Sequence, residues 1–153
     1  MSVDVTDNDV QRAWQDLHRP RTTHPVADMH GFVQQFGQTG VILAPPLRAI
    51  MVITKPARLV SWTLDSLQVG TCGFTLWWSN WSKPRVWQDL VGTGTAPNLV
   101  DVSNASGDVT DWQPVDLDRR QAILIEVTTA INIEQLTLTL FVRELPRDRL
   151  GGP

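Results

Sequence analysis

Residues 122–145 read AILIEVTTAINIEQLTLTLFVREL. Ile123, Ile125 and Val127 occupy alternate positions in its first part, and Leu136, Leu138, Leu140 and Val142 do so in its second. A repeat of two places side chains on one face of an extended strand, whereas a helix needs a repeat of three or four. The stretch therefore predicts two strands, each with one apolar face. The same grammar extends upstream. Val60, Trp62 and Leu64 alternate with Ser61, Thr63 and Asp65; Cys72, Phe74, Leu76 and Trp78 oppose Thr75 and Trp77; Ile50 and Val52 oppose Ala49, Met51 and Ile53. Gly, Pro, Asn and Asp fill the gaps, as expected of an antiparallel β-sandwich over residues 38–146.

Residues 1–37 follow a different pattern. Asp7 or Asp9 can cap a helix with Val10, Ala13, Trp14 and Leu17 on one face, closed by His18-Arg19-Pro20. The following residues hold prolines and glycines with no sustained period, which predicts an extended arm that must lie on something else to be ordered. Residues 147–153 form a short tail.

Composition narrows the function. The 153 residues are 42% hydrophobic and 19% charged, which suits one self-folding domain with an extension. A net charge of -3 lacks the basic footprint that phosphate neutralisation requires, so no nucleic-acid partner is expected. The longest apolar run, residues 41–46, is far short of the roughly 20 residues that span a bilayer, and the polar start MSVDVTDND has no signal-peptide pattern, so no membrane partner is expected either. The single cysteine, Cys72, lies in an apolar strand pattern and reads as a buried, inert thiol.

The segments PARLVSWTLDS, GTCGFTLWWS, DLVGTGTAPNL, SGDVTDWQPVDL and AILIEVTTAINIEQLTLTLFVREL, taken in order, resemble a small β-sandwich module of tailed-bacteriophage virion proteins, notably tail-fibre and appendage proteins. The resemblance covers about residues 38–145. It rests on Pro56 with Trp62, on Gly70 and Thr71 opening a strand that ends at Trp77, on Val91 to Leu99 (V-G-x-G-x-x-P-x-L), on Trp112, and on Thr137 to Val142. Two positions depart from the family's usual pattern: Arg120-Gln121 stands where Gly-Asp is frequent, and Thr75 where Asp is frequent. The resemblance implies a displayed, jelly-roll-like β-sandwich in a phage particle, on the tail or the capsid surface. It also implies synthesis in the host cytoplasm and partners among other virion proteins and copies of the chain itself, a trimer included.

No catalytic constellation stands out. His18, His24 and His30 are spaced six apart, too far for a shared helix face or a compact ligand set. VGTGTAP lacks the Lys-Ser/Thr of a phosphate loop and reads as a turn. DVSNASGDVTD, residues 101–111, has Ala105 and Trp112 where a calcium loop needs oxygen ligands, and reads as a solvated hairpin loop. Glu126, Glu134 and Glu144 offer no evident acid and nucleophile pair. The chain is expected to be non-enzymatic, with no cofactor and no metal.

The tryptophans carry the functional expectation. The span GFTLWWSNWSKPRVW, residues 73–87, holds four of the seven. Parity turns Trp62 and Trp78 inward and Trp77 outward, while Trp81 and Trp87 lie in a polar connector. Exposed indoles mark partner surfaces. Trp77, Trp81 and Trp87, with Trp14 and Leu17 of the arm, are the candidate interface residues. Stacking on a host surface glycan is the alternative, with Ser79, Asn80, Ser82, Lys83, Arg85 and Gln88 as the polar groups nearby.

Overall fold

The computed structural model describes residues 29–146, so the expected helix around Trp14 and Leu17 and the C-terminal tail lie outside the described residues. The described chain is all-β and antiparallel, with no helix. Its strands are β1 (Met29–Gly37), β2 (Leu47–Val52), β3 (Ala57–Ser79), β4 (Gln88–Asp89), β5 (Asn98–Asp108), β6 (Asp116–Leu117), β7 (Ala122–Ile131) and β8 (Gln135–Glu144).

Strand β3 organises the whole. Its 23 residues run opposite residues 122–144: Ser79 faces Ala122 at one end and Ala57 faces Glu144 at the other. β7 and β8 thus act as one long interrupted strand along one edge of β3, and β5, β4 and β6 pair with the other edge. Outside β8 lies β1, and outside β7 lies β2. All eight strands belong to one sheet, curled like a half-barrel across a crease at residues 67–70 and 132–134. The predicted strand grammar is realised in this single curled sheet, because β3 passes unbroken through both halves.

The crease is fastened by polar contacts. Gln68 Oε1 accepts from the Glu134 backbone N–H at 3.1 Å, and Glu134 Oε1 accepts from the Gly40 N–H at 2.8 Å. Glycine is required twice here. A Cβ on Gly70 would come within 2.5 Å of the Ile131 carbonyl oxygen, and Gly37 adopts φ +87 with a Cβ position that overlaps the Glu134 backbone.

Buried side chains from both halves form one core: Leu59, Trp62 and Leu64 with Leu136, Leu138, Leu140 and Val142 from one, and Cys72, Phe74 and Leu76 with Ile123, Ile125 and Val127 from the other. Three expectations need correction. Val60 is only half-buried, because a bulge between Leu59 and Ser61 advances the parity and puts Leu59 in the core. Residues 101–108, expected in a hairpin loop, extend β5 along β3, with Gly107 opposite Trp62. The boundary expected at residue 38 falls inside the sheet: residues 29–37 form β1, pair with β8 throughout, and bury Phe36.

Gly107 explains the fit of Trp62. A Cβ there would meet the indole at 2.7 Å, so the ring occupies the volume a side chain would need. Its indole N–H is buried without a hydrogen-bond partner among the described residues, a cost that the surrounding packing offsets. Gly107→Ala should therefore lower stability by roughly 1–3 kcal/mol, the usual cost of overpacking a core, as read from urea unfolding. A chain starting at Met29 should unfold cooperatively, whereas one starting at Gln38 loses the ladder to β8 and the Phe36 contact with Phe74. It should show a clearly lower urea midpoint or no cooperative transition.

Candidate functional site

The C-terminal half of β3 builds two different surfaces from consecutive residues. Leu76 is fully buried, Trp77 points to the outer face, and Trp78 turns back inward, half-buried and packed against the core. The short strand β4 pairs alongside, with Asp89 opposite Trp77 and Gln88 opposite Trp78.

On the outer face, register alone defines a cross-strand row. Ile50 of β2 stands opposite Leu124 of β7, and Leu124 stands opposite Trp77. Ile50 is 58% exposed and its neighbour Val52 is 54% exposed. One step along, Arg48 bonds the buried Glu126 carboxylate at 2.8 Å, so the charge beside the row is internally paired. Among the described residues β2 pairs only with β7, which leaves its other backbone edge open. Leu67, Val69, Val102 and Ile131, at or beside the crease, are also exposed.

The connector carrying the other two candidate indoles is pinned by Arg85. Its guanidinium donates to Ser79 Oγ at 3.0 Å, to the Asn80 carbonyl at 3.2 Å and to the Arg120 carbonyl at 2.8 Å, and lies 5.1 Å from the centre of the Trp81 ring. Arg120 holds φ 71, and its carbonyl is one of the groups Arg85 grips. Trp81 is exposed and Trp87 half-buried just ahead of β4. The aromatic ring pairs among the described residues are His30 with Phe32 and Phe36 with Phe74, so Trp77, Trp81 and Trp87 do not stack as a cluster. Trp14 and Leu17 lie outside the described residues.

Beside Trp78 lies an open groove of about 740 Å³. The glycine-rich turn of residues 91–97 makes it. Gly92 takes φ +59, and a Cβ on Gly94 would strike the Trp112 ring at 2.7 Å, so the turn folds directly over that buried indole. Trp112 Nε1–H donates to the Thr95 carbonyl at 3.1 Å. Backbone bonds from Leu90 N to Leu76 O at 3.0 Å and from Gln113 N to Leu90 O at 2.9 Å then hold residues 88–93 and 111–113 on either side of Trp78. Gln88, Asp89, Thr93, Asp111 and Gln113 line the groove with it. Of these only Gln88 is singled out by the sequence as a ligand-binding group, Thr93 and Asp111 entering only as parts of a turn and a loop. The others escape such a reading because they come from three separate segments, and only the cradle around Trp112 joins them.

Among the described residues no three His, Cys, Asp or Glu side chains come together as metal ligands, and no helix is long and apolar enough to cross a membrane. Glu126 is engaged with Arg48, and Glu134 with Gly40 at the crease. Comparison with protein-family models and with curated protein sequences finds no match.

Burial pushes the Cys72 thiol up to about 11 from 9.0, against a smaller opposing effect of a backbone hydrogen bond from Leu99. The neutral thiol is the form the fold favours. The resulting stabilisation is complete below pH 9 and is lost as the pH rises through about 11. Native protein should resist iodoacetamide at pH 8 and react only in urea, as followed by mass spectrometry.

Proposed function

We propose that this chain is a non-enzymatic structural protein of a tailed-bacteriophage particle, joined to a second copy of itself through the outer face and free edge of β2. In this reading the two halves of the curled sheet act as the layers of a jelly-roll-like β-sandwich displayed on the particle, with the segment preceding Met29, including Trp14 and Leu17, docking on neighbouring subunits. The class comes from the resemblance over residues 38–145, and the mode of association from the surface.

The observation that carries the association is the row Ile50–Leu124–Trp77 ending at a strand edge that is open among the described residues. Sheet edges are normally guarded by charged side chains, proline or a bulge, and LRAIMV has no proline or bulge within it and a single charge, Arg48, which is paired with Glu126. Two β2 strands meeting antiparallel about Ile50 would place Ile50 against Ile50 and Arg48 against Val52 of the other copy. The apolar row would then continue across the two-fold axis as Trp77–Leu124–Ile50–Ile50–Leu124–Trp77, with the arginines never opposed. A two-fold contact of this kind is self-complementary.

Light scattering after size exclusion should give a dimer or a multiple of it for the wild type. Ile50→Glu should weaken association at least thirtyfold, about 2 kcal/mol, with thermal unfolding nearly unchanged because the side chain is already exposed. Directly opposed antiparallel residues lie about 4.5–5.5 Å apart at Cα, within disulfide reach, so Ile50→Cys should form a covalent dimer on mild oxidation. A wild type that stays monomeric at high concentration removes the self-association. Cross-links from the exposed Lys55 or Lys83 to other virion proteins in purified particles test the phage assignment.

A further inference from the structure

We propose that the groove beside Trp78 binds a neutral saccharide chain, with the indole stacking on a sugar ring and Gln88, Asp89, Asp111 and Gln113 holding its hydroxyls. This goes beyond the assembly reading and uses different residues. It also differs from the platform of Trp77, Trp81 and Trp87 considered from sequence, since it is built on Trp78.

Three properties of the groove select the ligand. Its volume of about 740 Å³ lies within the range of small-molecule sites, and its open form admits a chain rather than only an enclosed end group. Trp78 is half-buried, packs against the core and lines the groove, so the core contact restrains an indole that can give an apolar face at little entropic cost. The polar lining combines two carboxylates, two amides and the Thr93 hydroxyl. Carboxylates accept from hydroxyls, while each amide donates and accepts side by side, which matches the paired hydroxyls of a pyranose.

Charge excludes one large class of sugars. No lysine or arginine lines the groove, and Asp89 and Asp111 both do, so uronic and sialic acids are repelled. The walls are also preformed. Asp89 Oδ1 accepts the Val91 N–H at 3.2 Å, and the Gln113 backbone is bonded to Leu90, so binding does not have to order these segments.

The test uses the full chain and its Ile50→Glu variant, so that a failure of self-association and a failure of sugar binding are read separately. The probes are maltohexaose, cellohexaose, galactohexaose and the hexamer of N-acetylglucosamine, with hexagalacturonate and hexalysine as charged comparisons, each titrated by calorimetry and by tryptophan fluorescence. At least one neutral hexamer should bind both proteins with a Kd below about 1 mM, with hexagalacturonate at least tenfold weaker. Gln88→Ala and Gln113→Ala, both at exposed positions, should each weaken that binding tenfold or more while melting unchanged, and Trp81→Ala should leave it unaltered. The proposal is overturned if no neutral hexamer binds, if binding survives both glutamine variants, or if hexalysine binds more tightly than every sugar, which would make the groove a site for cationic side chains.

Discussion

Continuous hydrogen bonding along β3 is the constraint from which the remaining structure follows. A 23-residue strand cannot stay flat in a domain this small, since its apolar face would have nothing to cover it, so it bends, and the sheet curls with it. The bend is confined to residues 67–70 by Gly70, where a side chain would strike Ile131, and by the contacts of Gln68 and Gly40 with Glu134. Because β7 and β8 follow β3 in nearly constant register on either side of that crease, both halves keep one set of inward positions and close over a single core.

Much of this was legible where one face of a strand is uniformly aliphatic. Ile123, Ile125 and Val127, and Leu136 to Val142, read correctly because each inward position carries a large apolar side chain and each is buried. Legibility failed where the partner strand, and not the pattern, makes the strand. β5 contains NASGD and has almost no apolar alternation there; it is extended because β3 offers an unpaired edge and because Gly107 makes room for Trp62. β1 lies in a stretch with prolines, glycines and no sustained period, which reads as an arm, yet Phe32 and Phe36, four apart, still reach the core side. The displacement of Val60 by Leu59 is a bulge, which inserts a residue without any compositional mark.

The tryptophans show how burial and use diverge within one residue type. Trp62 and Trp112 are each roofed by a glycine, Gly107 and Gly94, whose missing side chain is the space the indole fills. Both belong to the core. The glycines of VGTGTAP therefore read as a loop in the sequence but act as a lid on Trp112, and the groove is a by-product of that lid: closing it brings Thr93 and Asp111 to the same side as Trp78. No spacing rule links residues 78, 88, 93, 111 and 113 in advance of that closure.

Trp77 and Trp78 divide two surfaces between them. Adjacent residues of a strand face opposite sides of the sheet, so the two indoles cannot serve one surface. Trp77 completes the outer row with Leu124 and Ile50, and Trp78 floors the groove. The proposed association through β2 would extend the sheet laterally on the side of β3 away from β4, while the groove is walled by β4 and the Trp112 cradle on the other side. In the proposed assembly each copy would therefore keep its groove open, and repeating the chain would multiply the grooves at fixed spacing. Sites that hold a sugar weakly one at a time gain by such repetition, because once one copy is bound the next binds at a high effective concentration.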